Sequence, residues 1–433
     1  MKNFFMLVML IAALSGLAAC KKNPIAIADN DYKKSLPDVA YNSVDNNFFV
    51  FWAAVPGAGS TVTDISITGQ KISSFGQKLG APVDVIRGEK IVIMPRVQYN
   101  PNKNQYLVIY GLWENGMNIR GVILDANGKA VGEHFKVTNG PSSQFHYTMA
   151  FNSVKNQCFI TYNDSRNGAG DIFGVIVDDT GAVVKEEFVV SGAEGHQVNP
   201  VVCYNPQDDT YLLNWEDFRQ HGDNLTAYGT LDVMTNIMGA LLDGDGKTLV
   251  NDIAMCVDDS GADADQRFNG ITYNSDKNEF LVTWTDTTDS LQNIGIKGRI
   301  VKDDGSMPAE GFTVVDDAGA QMIGHSHYLP EHDNYFIAFE HDLADLDEFY
   351  FKDITAHLDV GAMQLDADGQ PENSMENIYD AEGNQRFVRF AHSTKSDTIL
   401  IVWQDDFPGV SDTVDGHIMS AGGNISGKVY RVK

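Results

Sequence analysis

The stretch Phe268-Asn-Gly-Ile-Thr-Tyr273, Asn274-Ser-Asp-Lys-Asn278, Glu279-Phe-Leu-Val-Thr-Trp284 decides the fold. Two apolar runs rich in β-branched and aromatic residues flank a short polar turn, the pattern of a β-hairpin. Beyond it, Ile296–Val301 and Gly311–Val315 predict two further strands. The unit then recurs along the chain. Its first strand ends on an anchor at Tyr41, Tyr99, Phe151, Tyr204, Tyr273, Tyr328 and His392. Eleven residues after every anchor stands an aromatic: Trp52, Tyr110, Tyr162, Trp215, Trp284, Phe339 and Trp403. A glycine in a short apolar run follows, at Gly69, Gly121, Gly174, Gly239, Gly298, Gly361 and Gly416. Repetition at a fixed offset predicts an all-β fold, a seven-bladed β-propeller of four-stranded antiparallel blades.

Third and fourth strands are expected to join through Asp-x-x-Gly turns at 125–128, 178–181, 243–246 and 366–369. Such turns need a side-chain acceptor and a positive φ. The fixed aromatic and the fixed glycine flank the second-to-third connection, so the ring is expected to cover the bare glycine backbone. The last strand, Lys428–Lys433, is expected to meet the first, near Leu36, and close the ring.

The N-terminus reads as a processing segment. Lys2, an apolar run from Phe4 to Leu14 and then Leu17-Ala18-Ala19-Cys20 describe a secretory signal too short to span a membrane comfortably. The cysteine after Leu-Ala-Ala resembles the bacterial lipobox, which implies cleavage before Cys20 and its acylation. The domain reading is a lipoprotein signal over 1–19, a lipidated tether over 20–35 and the propeller over 36–433. Lys21, where an inner-membrane retention signal of enteric bacteria has Asp, points to the outer membrane of a bacterial envelope.

Without the signal the chain carries 59 acidic and 30 basic side chains, Lys2 having been removed. That balance argues against nucleic acid, whose phosphates are met by Lys and Arg. Cys158, Cys203 and Cys256 sit in apolar strands and read as unpaired thiols, a Cys158–Cys203 bridge being the alternative. The chain is expected to be monomeric.

Trp215-Glu-Asp-Phe-Arg219 and Tyr162-Asn-Asp-Ser-Arg166, the latter followed by Asp171-Ile-Phe-Gly174, resemble a Trp-x-Asp-x-Arg…Asp-Ile-x-Gly repeat. That repeat is common in secreted and surface-attached bacterial β-propeller proteins. The resemblance covers about residues 36–433 and implies the fold, with no single activity.

The fourth-to-first and second-to-third connections vary and open on one face, where binding residues are expected. Two polar columns map to it. Gln144, Gln197, Gln266, Gln321 and Gln385 are expected to ring the channel mouth, while Asp164, Asp217, Asp286 and Asp405 read as structural. Residues that break the repeat are stronger candidates: Trp113, Tyr228, Arg267, Tyr350 and Arg386; Arg219, Gln197, Gln266 and Gln385 join them in the expected ligand set. Aromatic platforms among Arg, Gln and His suit a sugar, which offers apolar faces and hydroxyls. His325 and His327 alternate on a strand and join the ligand set. A divalent metal shared by them, with His341 as third ligand, is the other use of that pair. The reading adopted has no metal or other cofactor. It is a lipid-anchored propeller binding a glycan on its variable face. The alternatives are a polysaccharide lyase or glycosidase on the same face and a scaffold for an envelope protein.

Overall fold

The computed structural model describes residues 24–29, 32–56, 64–88, 90–168, 170–219, 235–256, 266–290, 293–317, 319–342, 358–406 and 423–432. Every element among them is a strand. The first group is β1 (Ile25–Ala28), β2 (Tyr32–Asn42), β3 (Asn47–Pro56), β4 (Ile65–Ser73) and β5 (Lys78–Gly88). Next come β6 (Val92–Asn100), β7 (Gln105–Trp113), β8 (Met117–Asp125) and β9 (Phe135–Lys136). They are followed by β10 (Gln144–Asn152), β11 (Gln157–Asp164), β12 (Asp171–Asp178) and β13 (Val183–Ser191). Then stand β14 (Gln197–Asn205), β15 (Thr210–Asp217), β16 (Asn236–Asp243) and β17 (Thr248–Cys256). After these lie β18 (Gln266–Asn274), β19 (Glu279–Ser290), β20 (Asn293–Lys302) and β21 (Phe312–Val315). The chain ends with β22 (Gly319–Leu329), β23 (Asn334–Asp342), β24 (Asp359–Asp366), β25 (Glu376–Tyr379), β26 (Gln385–Ser393), β27 (Thr398–Asp406) and β28 (Gly423–Arg431).

The strands β2–β5, β6–β9, β10–β13, β14–β17, β18–β21, β22–β25 and β26–β28 each pair antiparallel in chain order. The first strands adjoin one another in turn: β2, β6, β10, β14, β18, β22, β26 and back to β2. The result is the closed circuit of a β-propeller with the first strands innermost. Hydrophobic cores lie between successive groups. Phe49 and Phe51 pack on Tyr106 and Tyr110, and Trp52 packs with Val402 and Ile27 across the junction of chain ends.

That junction differs from the expected one. The segment read as a tether supplies β1, which pairs with β28, and the start of β2, whose Lys34 lies opposite Gly423. The last strand therefore begins at Gly423, and its outer neighbour comes from the N-terminus.

The anchor column has a clear physical role. Five residues after each anchor, Asn46, Asn104, Asn156, Asp209, Asn278, Asp333 and Asp397 all have φ between 50° and 53°. Asn and Asp tolerate this left-handed turn position best among residues with side chains. The anchor hydroxyl then donates to that side chain: Tyr99 to Asn104 at 2.9 Å, Tyr273 to Asn278 at 2.8 Å, Tyr328 to Asp333 at 2.7 Å. Asp-x-x-Gly turns form as expected: Asp125 Oδ1 accepts from Asn127 and Lys129 N–H, and Gly128 has φ 84°.

The fixed aromatic covers the fixed glycine only in the sixth repeat, where Phe339 lies opposite Gly361 and a Cβ there would stand 2.8 Å from its ring. Elsewhere among the described residues the two are out of register. Tyr162 lies opposite Phe173 and Thr161 opposite Gly174, so ring and glycine point to opposite sheet faces. The fourth strand covers Gly121, where a Cβ would stand 2.5 Å from the Phe135 ring, whereas Gly69 is covered by Phe51 and Phe49 of the second strand. In the last group the matching glycine is Gly427, opposite Val402; Gly416 lies outside the described residues. Among the described residues Cys158, Cys203 and Cys256 form no disulfide, and burial pushes the Cys158 thiol up to about 12.

Candidate functional site on the inner strands and the variable face

Several expected site residues, Cys20, Tyr228 and Tyr350, lie outside the described residues. Trp113 ends β7 opposite Met117, at the tip of a hairpin turned by Asn115 (φ 56°) and Gly116 (φ 121°). Its ring is 48% exposed, whereas Trp52, Trp215, Trp284 and Trp403 are 3% exposed or less. Next to it, Glu114 pairs with Lys90 and Arg120, which hold its carboxyl below the usual carboxylate range.

The Asp column supports the fixed indoles. Two residues apart on a strand, side chains share a face. Trp215 Nε1 thus donates to Asp217 at 3.0 Å, Trp284 to Asp286 at 3.1 Å and Trp403 to Asp405 at 2.8 Å. Arg219 completes the motif: Nε and Nη2 each reach Asp217 at 2.8 Å, and Nη2 reaches Asp252 at 2.9 Å. Arg219 is thus committed to internal ion pairs.

The Gln column is enclosed rather than open to a channel mouth. Gln197, Gln266 and Gln385 are 1% exposed or less. Gln197 Nε2 donates to Gly195 O at 3.2 Å. In the orientation its neighbours require, the Gln385 amide donates to Asp359 Oδ1 at 3.0 Å. Gln197 thus holds its fourth-to-first connection, and Gln385 the end of the second-to-third connection that leads into β24. Arg267 is 5% exposed, and Arg386 Nε lies 3.3 Å from Asp406.

A different constellation stands on the inner strands, at the third residue before each anchor. That column reads Asp38, Arg96, Thr148, Val201, Gly270, His325 and Arg389, so it varies where the others repeat. Asp38, Arg96, His325 and Arg389 are half-buried, and His327 is exposed, so solvent reaches the inner strands here. Arg389 Nη1 donates to His325 Nε2 and to Val388 O at 3.0 Å. Its Nε stands 4.0 Å from Asp38 Oδ1, while Asp38 Oδ2 accepts from Val97 N–H at 2.8 Å. Arg96 Nη1 donates to Pro95 O at 3.1 Å. Among the described residues no carboxylate lies within 4.0 Å of Arg96.

Electrostatics follow from this crowding. Burial, then Arg96, lowers Arg389 to about 10. Burial, with both arginines adding, keeps the His325 imidazole neutral, well below its ordinary value. Burial raises the Asp38 carboxyl against the pull of Arg96 and Arg389. Behind the cluster, Glu340 is 2% exposed, and burial pushes it up to about 7 against Arg386. Its Oε1 accepts from Phe387 N–H at 2.6 Å. Glu216 accepts from Phe268 N–H at 2.8 Å in the same way, so this contact is a repeated device for joining groups.

His325 and His327 do not converge on a common centre. His325 meets Arg389, an unfavourable neighbour for a cation, and His327 stands 6.0 Å from His392 between ring centres. His341 lies opposite Gln321, at the other end of the strand pair. Among the described residues no three His, Cys, Asp or Glu are placed to hold a metal.

Sequence reasoning missed Asp38, Arg96, Glu340 and Arg389. For Asp38, Arg96 and Arg389 the signal was available: counting three residues back from the anchor, instead of seven, exposes the unlike column, to which Glu340 does not belong.

No protein family's sequence profile and no curated protein matches the chain. Among solved structures it is similar to a Hadza microbial sialidase Hz136, with 12% identity and TM-score 0.47, over 72% of this chain and 64% of that one. It is also similar to the β-propeller domain of the Trilobed protease from Pyrococcus furiosus, with 8% identity and TM-score 0.47, over 87% and 91%. A third is Penicillium chrysogenum α-L-arabinanase, with 8% identity and TM-score 0.45, over 94% and 97%. These likenesses concern the path of the chain alone.

Proposed function

We propose that the circuit is a ring of seven blades, held to the bacterial envelope by lipid on Cys20, and that its variable face binds an extracellular glycan. The observation that carries the ligand reading is Trp113, the one tryptophan among those described whose ring faces solvent. A rigid hairpin presents it, and its neighbour Glu114 is fixed by two cations. An exposed indole beside ordered polar groups matches the two chemistries of a sugar, apolar ring face and hydroxyl rim. An enzyme reading finds less support: Glu340, whose carboxyl burial raises to about 7, makes the same backbone contact as Glu216.

The test is a glycan array followed by product analysis on the hits. Trp113→Ala should weaken binding by about tenfold, the effect of losing ~1.4 kcal/mol of stacking, with the melting temperature unchanged. Undiminished binding by this variant would reject the assignment. Turnover of a bound glycan would move the enzyme reading to first place. For the anchor, Cys20→Ala should leave the chain unprocessed or soluble. Unaltered membrane fractionation of that variant would remove the lipoprotein reading.

A further inference from the structure

We propose that Arg96 and Arg389, on inner strands β6 and β26, form a carboxylate-binding site, and that the glycan taken there is a uronic acid. The sugar part of this assignment rests on the reading above; the carboxylate part does not.

The charge balance is the first argument. The chain has 59 acidic against 31 basic residues, so acids are available to every arginine. Other arginines use them: Arg87 pairs with Asp84, Arg120 with Glu114, Arg166 with Asp164 and Glu187, Arg219 with Asp217 and Asp252, and Arg386 with Asp406, whereas Arg431 is exposed at the end of β28 without an ion pair among the described residues. Arg96 has no such partner among the described residues, and Arg389 has only Asp38, at the 4.0 Å limit. Beyond Asp38, Arg389 feels the carboxyl of Glu340, and one oxygen of Asp38 is spent on Val97 N–H.

The donors are also available. Nη2 of Arg96 and Nη2 of Arg389 have no acceptor among the described residues, and neither is a buried unsatisfied atom. Both side chains are half-buried, so these donors are open to water. Arg389 is held from behind by His325 Nε2 and Val388 O, which fixes its planar fork. Guanidinium forks match a carboxylate through paired hydrogen bonds, better than an ammonium does. An incoming carboxylate would relieve the repulsion between the two arginines, and in this half-enclosed setting its attraction is screened less than at the surface.

The test titrates the full chain with trigalacturonate and with its methyl ester, which differs only in the charge of the carboxyls. We expect the acid to bind at least tenfold more tightly, and increasingly weakly as salt rises. Arg96→Gln and Arg389→Gln should each remove that preference, and Arg96→Lys should restore part of it, since the charge returns without the fork. Trp113→Ala should weaken acid and ester alike. Equal binding of acid and ester, or an Arg96→Gln variant that keeps the preference, would overturn the carboxylate site while leaving the glycan reading standing. Melting curves in glucuronate against glucose, at constant ionic strength, form the second arm. Stabilisation of the natural chain by glucuronate and not of Arg96→Gln supports the site even where no oligosaccharide binds. The same glucuronate shift in both proteins would sink it.

Discussion

Replacing Trp215 with alanine should destabilise the protein by roughly 3–5 kcal/mol, the usual cost of deleting a large buried ring. The indole is 0% exposed, within the core between β11–β13 and β14–β16. Its loss would also strip Asp217 of the Nε1 donor at 3.0 Å, leaving a buried carboxylate with Arg219 as its main partner. Trp113→Ala, by contrast, should change stability by less than about 0.5 kcal/mol, as at an ordinary surface site. Denaturant unfolding of the two variants side by side reads the difference. Equal losses would show that the division into framework and surface aromatics is wrong.

Glu340→Gln should stabilise the protein at pH 8 and flatten its stability between pH 5 and 8. Burial raises the Glu340 carboxyl from 4.5 to about 7, so the folded state holds the proton more tightly than the unfolded chain. Its stabilising contribution is therefore complete below pH ~4.5 and is lost as pH rises through 7. At about 1.4 kcal/mol per unit, the natural protein gives up ~3 kcal/mol over that window. Glutamine carries no charge to bury, and its Oε1 still accepts from Phe387 N–H. Urea unfolding at pH 5, 6, 7 and 8 measures the difference between the two proteins. A difference that stays constant with pH would show that Glu340 is ionised in the fold.

Much of the architecture was legible because it repeats. Anchor, aromatic and Asp-x-x-Gly turn each answer a local demand that recurs unchanged: an αL turn to clamp, a gap between sheets to fill, a tight hairpin to close. Errors arose where the demand was relational. Sequence spacing put Trp and glycine near each other, but a shift of one residue in register sends neighbours to opposite faces. Trp215 lies opposite Met238 and Asn214 opposite Gly239, so the glycine met the Met255 side chain from the fourth strand. The Gln column was read as a mouth because it recurs near the variable face. A recurring amide proved to be a loop fastener, as Gln197 and Gln385 show. Arg96 and Arg389 escaped notice because they repeat nothing, and only their shared strand position brings them together. The N-terminal segment looked like linker since Ile25–Ala28 is too short to stand out, and its partner β28 is some 400 residues away.

That last pairing has a mechanical consequence. An open array of repeats has terminal units that fray first and let the rest follow, which is why such arrays carry caps. Here β1 and β28 share a sheet with β2, so the two ends of the chain are stitched to each other and no repeat is terminal. Unravelling must begin by tearing this seam, where the Ile27 side chain lies against Gly427 and the pull of the whole ring resists it. The lifetime of the fold would then be set by how often one short strand lets go.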